Sequence, residues 1–293
     1  YLKAKTGRYY RAIMTNGRPH TATAVSILAS FHATITGFLQ QLLSDDAAAH
    51  DAARNLMLRH LSPGVTEPFL RAALAVSTAT HLATLIDLHR VALTYVTNKK
   101  GGDQIQAAEA EETRKRHAAL QLPFDSLRAK LITGSVDQGE IEKTVELTRN
   151  RPKDGMPFPP LAESLRSIVA TSAISHGVDI EELNSMFFAG LPSDVAEYIQ
   201  ASSRIGRTHV GFSLLMPTPQ RRRDRYVVEV FDIFHRFLER MVQPAAIDRW
   251  AEIAVLRVLP SFFQSAVCGA VSLGNLLALP DAEKGKWKPL DHI

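Results

Sequence analysis

Apolar and polar positions change period several times along this chain, and each change marks an element. Arg8–Met14 (RYYRAIM) reads as a strand, closed by the turn residues Thr15-Asn16-Gly17. From Thr21 to Leu43 the apolar residues Val25, Leu28, Phe31, Ile35, Phe38 and Leu42 fall three or four apart, which predicts a helix. Further helices are expected over 45–61, ended by Ser62-Pro63-Gly64, and over 66–88. Short apolar runs then alternate with helical spacing. Strands are expected at 90–96, 129–133, 168–170, 186–189 and 209–216, with helices over 103–120, from about 137 to 149, and after the cap Pro192-Ser193-Asp194. Such alternation is the signature of a parallel sheet flanked by helices. Beyond it come an amphipathic helix over 226–241, a helix over 247–259, and a small-residue-rich, buried one over 261–279 before a polar tail. Asn150–Pro160 holds four prolines and one glycine and must be a loop.

This pattern divides the chain into three segments. Residues 1–88 form a strand plus a helical accessory layer, 89–216 the α/β domain, and 217–293 a helical extension. The 293 residues are ample for a sizeable core. A hydrophobic share of 45% against 22% charged residues is that of an ordinary globular protein. The formal charge of +4 permits nucleic acid as a partner without requiring it. A single cysteine, Cys268, excludes a disulfide framework and suits a reducing, cytoplasmic setting. No signal peptide is visible, and the chain reads as part of something longer. The apolar stretches 27–43 and 255–279 are interrupted by His32, Gln40, Arg257, Pro260 and Gln264, so no membrane partner is expected. Histidines 20, 32, 50, 60, 81 and 89 show no metal-ligand spacing, and no metal site is expected.

The chemistry concentrates between Ile168 and Arg207. An apolar run ends in the hydroxyls Thr171 and Ser172, and a tight corner carries Gly177 and Asp179. A second strand follows, and then a helix carries Gln200 and Arg204 towards Gly206-Arg207. Taken alone, two strands of a parallel sheet would deliver small polar residues and a pair of arginines to one edge, beyond the strands' carboxyl ends, where ligands bind in such sheets. A polar, glycine-containing corner after the 90–96 strand offers Thr97, Lys99 and Lys100, with Gly101-Gly102 opening backbone N–H groups to phosphate. A solvated turn explains that corner equally well. Thr133 and Gly134 end the next strand. Arg221-Arg222-Arg223 is either a phosphate-contacting patch or a solvated helix start.

The ordered pair A-T-x5-G-x-D and Y-I-Q-x3-R-x-G-R, with a strand between, resembles motifs V and VI of superfamily 2 helicases, in their second RecA-like domain. More broadly, RYYRAIMTNG, YVTNKKGGD, GSVDQGEI and DIFHRFLERMVQP are similar to the helicase subunit of DISARM-type bacterial phage-defence systems. The resemblance implies a parallel RecA-like sheet with added N- and C-terminal helical segments. It implies that Arg207 is an arginine finger, that Arg204 faces the same phosphate or holds the loop of Arg207, and that Gln200 positions the lytic water or senses the phosphate. Gly177 and Asp179 would then face the nucleotide's ribose or orient the finger. Thr171, Ser172, Thr97, Lys99, Lys100, Thr133 and Gly134 would meet the nucleic-acid backbone. Where many relatives carry an arginine this chain has Ile141.

Neither a G-x4-G-K-[ST] loop nor an acidic Asp-Glu pair after a strand occurs. ATP and Mg2+ are therefore expected to be bound mainly by a first RecA-like domain absent from this chain, and the chain alone is expected to be inactive. DNA or RNA, that domain, and a partner subunit of a defence complex are the expected partners. Two other classes compete: a non-catalytic nucleic-acid-binding module on the same scaffold, which needs no finger, and a dinucleotide-binding regulatory domain, which wants a G-x-G-x-x-G that is absent.

Overall fold

The structure, a computed structural model, describes residues 7–14, 17–61, 63, 64, 67–134, 136, 138–149, 158–172, 183–243 and 251–278. They divide into two compact units, 1–242 and 243–293.

The first unit is built on six parallel strands: β1 (Arg8–Ala12), β2 (Ala92–Val96), β3 (Arg128–Ile132), β4 (Leu165–Ala170), β5 (Ser185–Ala189) and β6 (Gly211–Met216). Their order across the sheet is β1-β6-β5-β2-β4-β3. β1 thus joins the same sheet as the rest, at its edge beside β6. The central strands are apolar runs without alternation of polarity because both faces are covered. Their side chains still alternate between the two covers. Leu93, Tyr95, Ile168, Met186, Phe188 and Leu215 point into one core. Thr94 is buried, and its neighbours Ala92, Val96, Val169, Phe187 and Leu214 point into the other.

On the second face lie α1 (His20–Leu42) and α5 (Lys99–Ala119), packed against each other. Outside α1 stand α2 (Ala47–Arg59), α3 (Glu67–Val76) and α4 (Ala79–Asp87). The first face is covered by α6 (Gln138–Arg149), α7 (Val195–Ser202), α8 (Arg222–Glu229) and α9 (Phe231–Arg236). α1 is long and apolar enough to span a bilayer, yet just over half of its apolar window is buried inside this unit.

Five expected helices differ from those observed. The segment 66–88 is two helices bent by 119°, because Ser77 and Thr78 interrupt it. Thr78 accepts the His81 N–H at 3.2 Å and so starts α4 afresh, as an N-cap does. α5 begins a turn earlier than expected, at Lys99, with Asn98 as its cap. The segment 226–241 is not one helix. Val230 and Phe237 leave helical geometry, splitting it into α8, α9 and a 3-10 turn at Leu238–Met241. Finally, 252–278 is a single helix, α10, that runs through Pro260, whose missing N–H removes one hydrogen bond without ending it. Its expected burial is not observed within the second unit either: Phe262 and Phe263 are each 67% exposed.

A buried polar network joins α1 and α5 to the sheet. His32 and Glu109 are both fully buried, with Nε2 of His32 donating to Glu109 Oε1 at 2.9 Å. Ser167 of β4 donates to the other carboxyl oxygen at 2.8 Å. Burial outweighs the neighbouring carboxyl and pushes the His32 pKa below its usual 6.5. The pair is therefore a hydrogen bond to a neutral imidazole rather than an ion pair. In the unfolded chain the same imidazole protonates near 6.5, so the unfolded state binds more protons below that pH. The stability carried by neutral His32 is complete above pH 6.5 and is lost as the pH falls towards the folded-state value. Denaturant titrations across that range should show stability declining with acidification, and His32→Gln should flatten the decline. His117 and His235 are shifted in the same direction, so part of the slope should survive. An unchanged slope in the variant would reject this account.

Candidate nucleic-acid edge and arginine turn

Each parallel strand delivers its last residue to one edge of the sheet, and the structure puts Thr97, Thr133, Gly134, Thr171 and Ser172 there. Thr171 N–H donates to the Ile132 carbonyl at 3.1 Å, tying the ends of β3 and β4 together. Thr133 is buried, Thr171 half-buried, and Gly134 and Ser172 are exposed. Lys99 and Lys100 are exposed in the first turn of α5, above the end of β2. The two glycines beside them do not form an open corner. Asn98 Oδ1 already accepts the Gly101 N–H at 2.8 Å, which occupies one of the donors expected to meet phosphate. Gly102 serves packing: a Cβ there would lie 3.1 Å from Val96 Cγ2 and 3.3 Å from Leu131 Cδ1.

A cavity of 220 Å³ opens at this edge between the ends of β2, β5 and β6. Thr97 and Lys100 line it together with Asn98, Gln104, Thr218 and Arg221. Arg221, left open between two readings in the sequence, is thereby grouped with the phosphate candidates. Its neighbour Arg223 turns inward instead, donating to the carbonyls of Leu191, Pro192 and Ser193. Asp224, fully buried, accepts the Leu191 and Thr218 N–H groups at 3.2 and 2.9 Å. These two residues fix the loops that end β5 and β6. Nothing in the local sequence marks them, since their partners lie up to 33 residues away.

The arginines lie at the opposite edge. This corrects the reading that one edge receives both sets. The helix that links β5 to its parallel neighbour β6 must carry the chain back to where the strands begin. Gln200, exposed on α7, and Arg204 and Arg207 after it therefore stand by the start of β6. The turn holding them is closely specified. Arg204 N–H donates to Ala201 O at 3.1 Å, and Arg207 Nε donates to Ser203 O at 3.3 Å. Gly206 has φ +67° and donates to Leu183 O at 3.1 Å. A Cβ at that position would sit 2.9 Å from the Gly211 nitrogen. Arg8 of β1 clasps the same turn from outside, with Nε donating to Ile205 O at 2.7 Å and Nη2 to Ser203 O at 3.3 Å. Sequence reasoning missed Arg8, and a separation of 197 residues offers no local signal. Arg204 and Arg207 are both half-buried, neither sunk in the core nor fully solvated.

Gly177 and Asp179 lie outside the described residues. Among the described residues no group of three His, Cys, Asp or Glu side chains could hold a metal ion.

Residues 81–209 match the family model of the helicase conserved C-terminal domain. That span runs from α4 past Arg207 and takes in every site residue expected from the motifs, though not Arg221. Over these residues, fewer than half of the 293, the chain is similar to that helicase domain. More particularly, the chain is similar to the DISARM protein DrmA of Bacillus paralicheniformis (strain ATCC 9945a / NCIMB 11709 / CD-2), with 28% identity over 185 residues. The match covers 61% of this chain and 16% of DrmA, so the chain spans only a small part of that relative's length. Among solved structures it is similar to the DUF1998 helicase MrfA bound to DNA and AMPPNP, at 15% identity and a TM-score of 0.44. That match covers 85% of this chain and 24% of MrfA. The helicase Lhr of Mycobacterium smegmatis, bound to ssDNA and AMP-PNP, gives 13% identity, 82% and 23% coverage, and a TM-score of 0.42.

The geometry of the arginine turn has a measurable consequence. Gly206→Ala must adopt a left-handed backbone conformation against the Gly211 backbone, and should cost about 1–3 kcal/mol. Equilibrium denaturation would show the loss; a variant as stable as the parent would mean the turn is not held as described.

Proposed function

We propose that this chain is the C-terminal motor half of an ATP-dependent helicase or translocase acting on nucleic acid, with DNA the expected substrate, in cytoplasmic bacterial defence against phage. The observation that carries the proposal is the pinned turn at Ser203–Arg207. It presents two arginines and, one helical turn earlier, Gln200, while the backbone-binding candidates occupy the other edge of the same sheet. A protein that only bound nucleic acid would have no use for the first set.

In this reading residues 89–216 form the motor core. Residues 1–88 supply its edge strand and one helical layer, and 217–293 are a C-terminal extension. Mg2+-bound ATP, gripped mainly by a preceding RecA-like domain, supplies the phosphoanhydride whose hydrolysis drives movement. What this chain adds is placement and positive charge. Arg207 offers a planar fork of donors to the negative charge that develops on a phosphoryl group. Arg204, three residues earlier, serves the same phosphate or steadies the turn, and Gln200 orients the attacking water. Gly177 and Asp179 complete the nucleotide side. The half-burial of both arginines supports this role, since a finger needs an anchored stem and a reachable head. At the carboxyl edge Thr97, Lys99, Lys100, Thr133, Gly134, Thr171 and Ser172 hold the strand's backbone, joined by Arg221. A binding module without catalysis remains the rival, and it draws on that edge alone.

Two measurements on the full-length protein separate the readings. Arg207→Ala should lower nucleic-acid-stimulated ATPase by about 10³-fold or more, in line with other arginine fingers, while DNA affinity stays close to that of the parent. Equal loss of both would remove the finger role, and no ATPase in the parent would favour the binding module. Secondly, DNA affinity should fall steeply as salt rises. Replacing Lys99 and Lys100 by alanine should reduce the log–log salt slope by about 1 for each lysine. A flat salt response would sink phosphate docking at this edge.

A further inference from the structure

Below the amino ends of β3 and β4, a cavity of 360 Å³ opens beside α1, α4 and α5. It belongs neither to the carboxyl edge nor to the arginine turn. Leu39, Leu43, Phe124, Phe158 and Leu161 give it a mostly apolar wall. Its size lies within the range of small-molecule sites.

One cation reaches that wall from within the protein. Arg166, the second residue of β4, lines the cavity and is only 4% exposed. Its Nη2 donates to the His32 carbonyl at 3.0 Å and to Thr36 Oγ1 at 3.3 Å. Its Nε has no hydrogen-bond partner among the described residues. Asp87 and Asp125 also line the cavity, and the two acids whose charge acts on Arg166, Glu109 and Asp87, have other engagements. Glu109 is bonded to His32 and Ser167, and Asp87 accepts from Arg90 at 2.9 Å. Arg90, 1% exposed, adds a second buried guanidinium whose charge acts on Arg166. Thr113, on the same wall and 1% exposed, has a hydroxyl with no partner among the described residues. Burial, with Arg90 second, lowers the Arg166 pKa to about 10, which leaves it charged at neutral pH.

A buried cation whose acidic neighbours are already committed is costly unless something negative joins it. We propose that this cavity binds a small anionic ligand with an apolar body, its carboxylate or phosphate against Arg166 and Thr113 and its apolar part along Leu39, Leu43 and Phe158. The inference rests on this pocket alone and does not depend on the motor reading. Pockets of this composition use a few convergent polar groups to orient a ligand that apolar contacts retain.

Isothermal titration of the protein with octanoate, octyl phosphate, octanol and octylamine tests it. At least one of the two anions should bind one-to-one and about tenfold more tightly than octanol, with octylamine weakest. The stronger anion identifies the head group as carboxylate or phosphate. Arg166→Met should bring the preferred anion down to the affinity of octanol and leave octanol unchanged. If that variant fails to fold, Leu43→Trp, at an exposed rim position, should block all the probes while leaving the melting temperature near that of the parent. Anions that bind no better than octanol, or that bind the available variant as well as the parent, would overturn the proposal.

Discussion

A strand in a parallel sheet cannot be followed by its neighbour unless the chain first returns to the edge where both begin. The candidate site residues are sorted by that constraint. Whatever directly follows a strand lands at the carboxyl edge, and so Thr97, Thr133 and Thr171 share it. Whatever follows a crossover helix lands at the amino edge, and so Arg204 and Arg207 stand where β6 starts. One covalent sequence therefore serves two faces. On the proposed function, nucleic acid at one edge and a partner domain's nucleotide at the other would be coupled through the sheet between them. The four central strands, β6, β5, β2 and β4, are buried on both faces and make that sheet rigid.

The two edges are held by different physical means. At the carboxyl edge, long-range side chains do the holding: Asp224 gathers the N–H groups of two loops, and Arg223 gathers three carbonyls. Backbone groups that would otherwise end the strands unpaired are satisfied, and the exposed lysines project from a fixed base. At the amino edge the backbone itself does the holding. Gly206 permits a left-handed turn packed so closely on Gly211 that a Cβ would lie 2.9 Å from the Gly211 nitrogen, nearer than a Cβ tolerates. Arg8 closes it by reaching two carbonyls from the neighbouring strand. β1 thus does more than widen the sheet, since it delivers the clasp.

Much of this was legible in the residues. The strands were marked by apolar runs such as Ala92–Val96 and Ser185–Ala189, and the helices by spacing such as Val25-Leu28-Phe31-Ile35. The ordered motif pair identified the domain, because G-x-D and R-x-G-R are each common and only their sequence is informative. What could not be read depended on partners distant in the chain. Arg8 meets Ile205 across 197 residues, and Glu109 meets Ser167 across 58. The breaks at Ser77-Thr78 and at Val230 were missed for a different reason: amphipathic spacing continues through both, and only a local cap or a departure from helical backbone angles interrupts it. The edge assignment failed because it counted strands without following the helix home.

The buried network between α1, α5 and β4 bears on how the N-terminal helices relate to the sheet. Glu109 takes one hydrogen bond from α1 through His32 and one from the sheet through Ser167. Arg166 then returns to the His32 carbonyl, so helix, helix and strand are bonded in a closed circuit. Apolar contact alone would let α1 slide along the sheet with little change in area. Directional bonds with no water to substitute for them set one register, because a slip would strand a carboxyl, an imidazole and a guanidinium together. Residues 20–42 are on this account an integral wall of the α/β unit, fixed to it through His32, Glu109, Ser167 and Arg166.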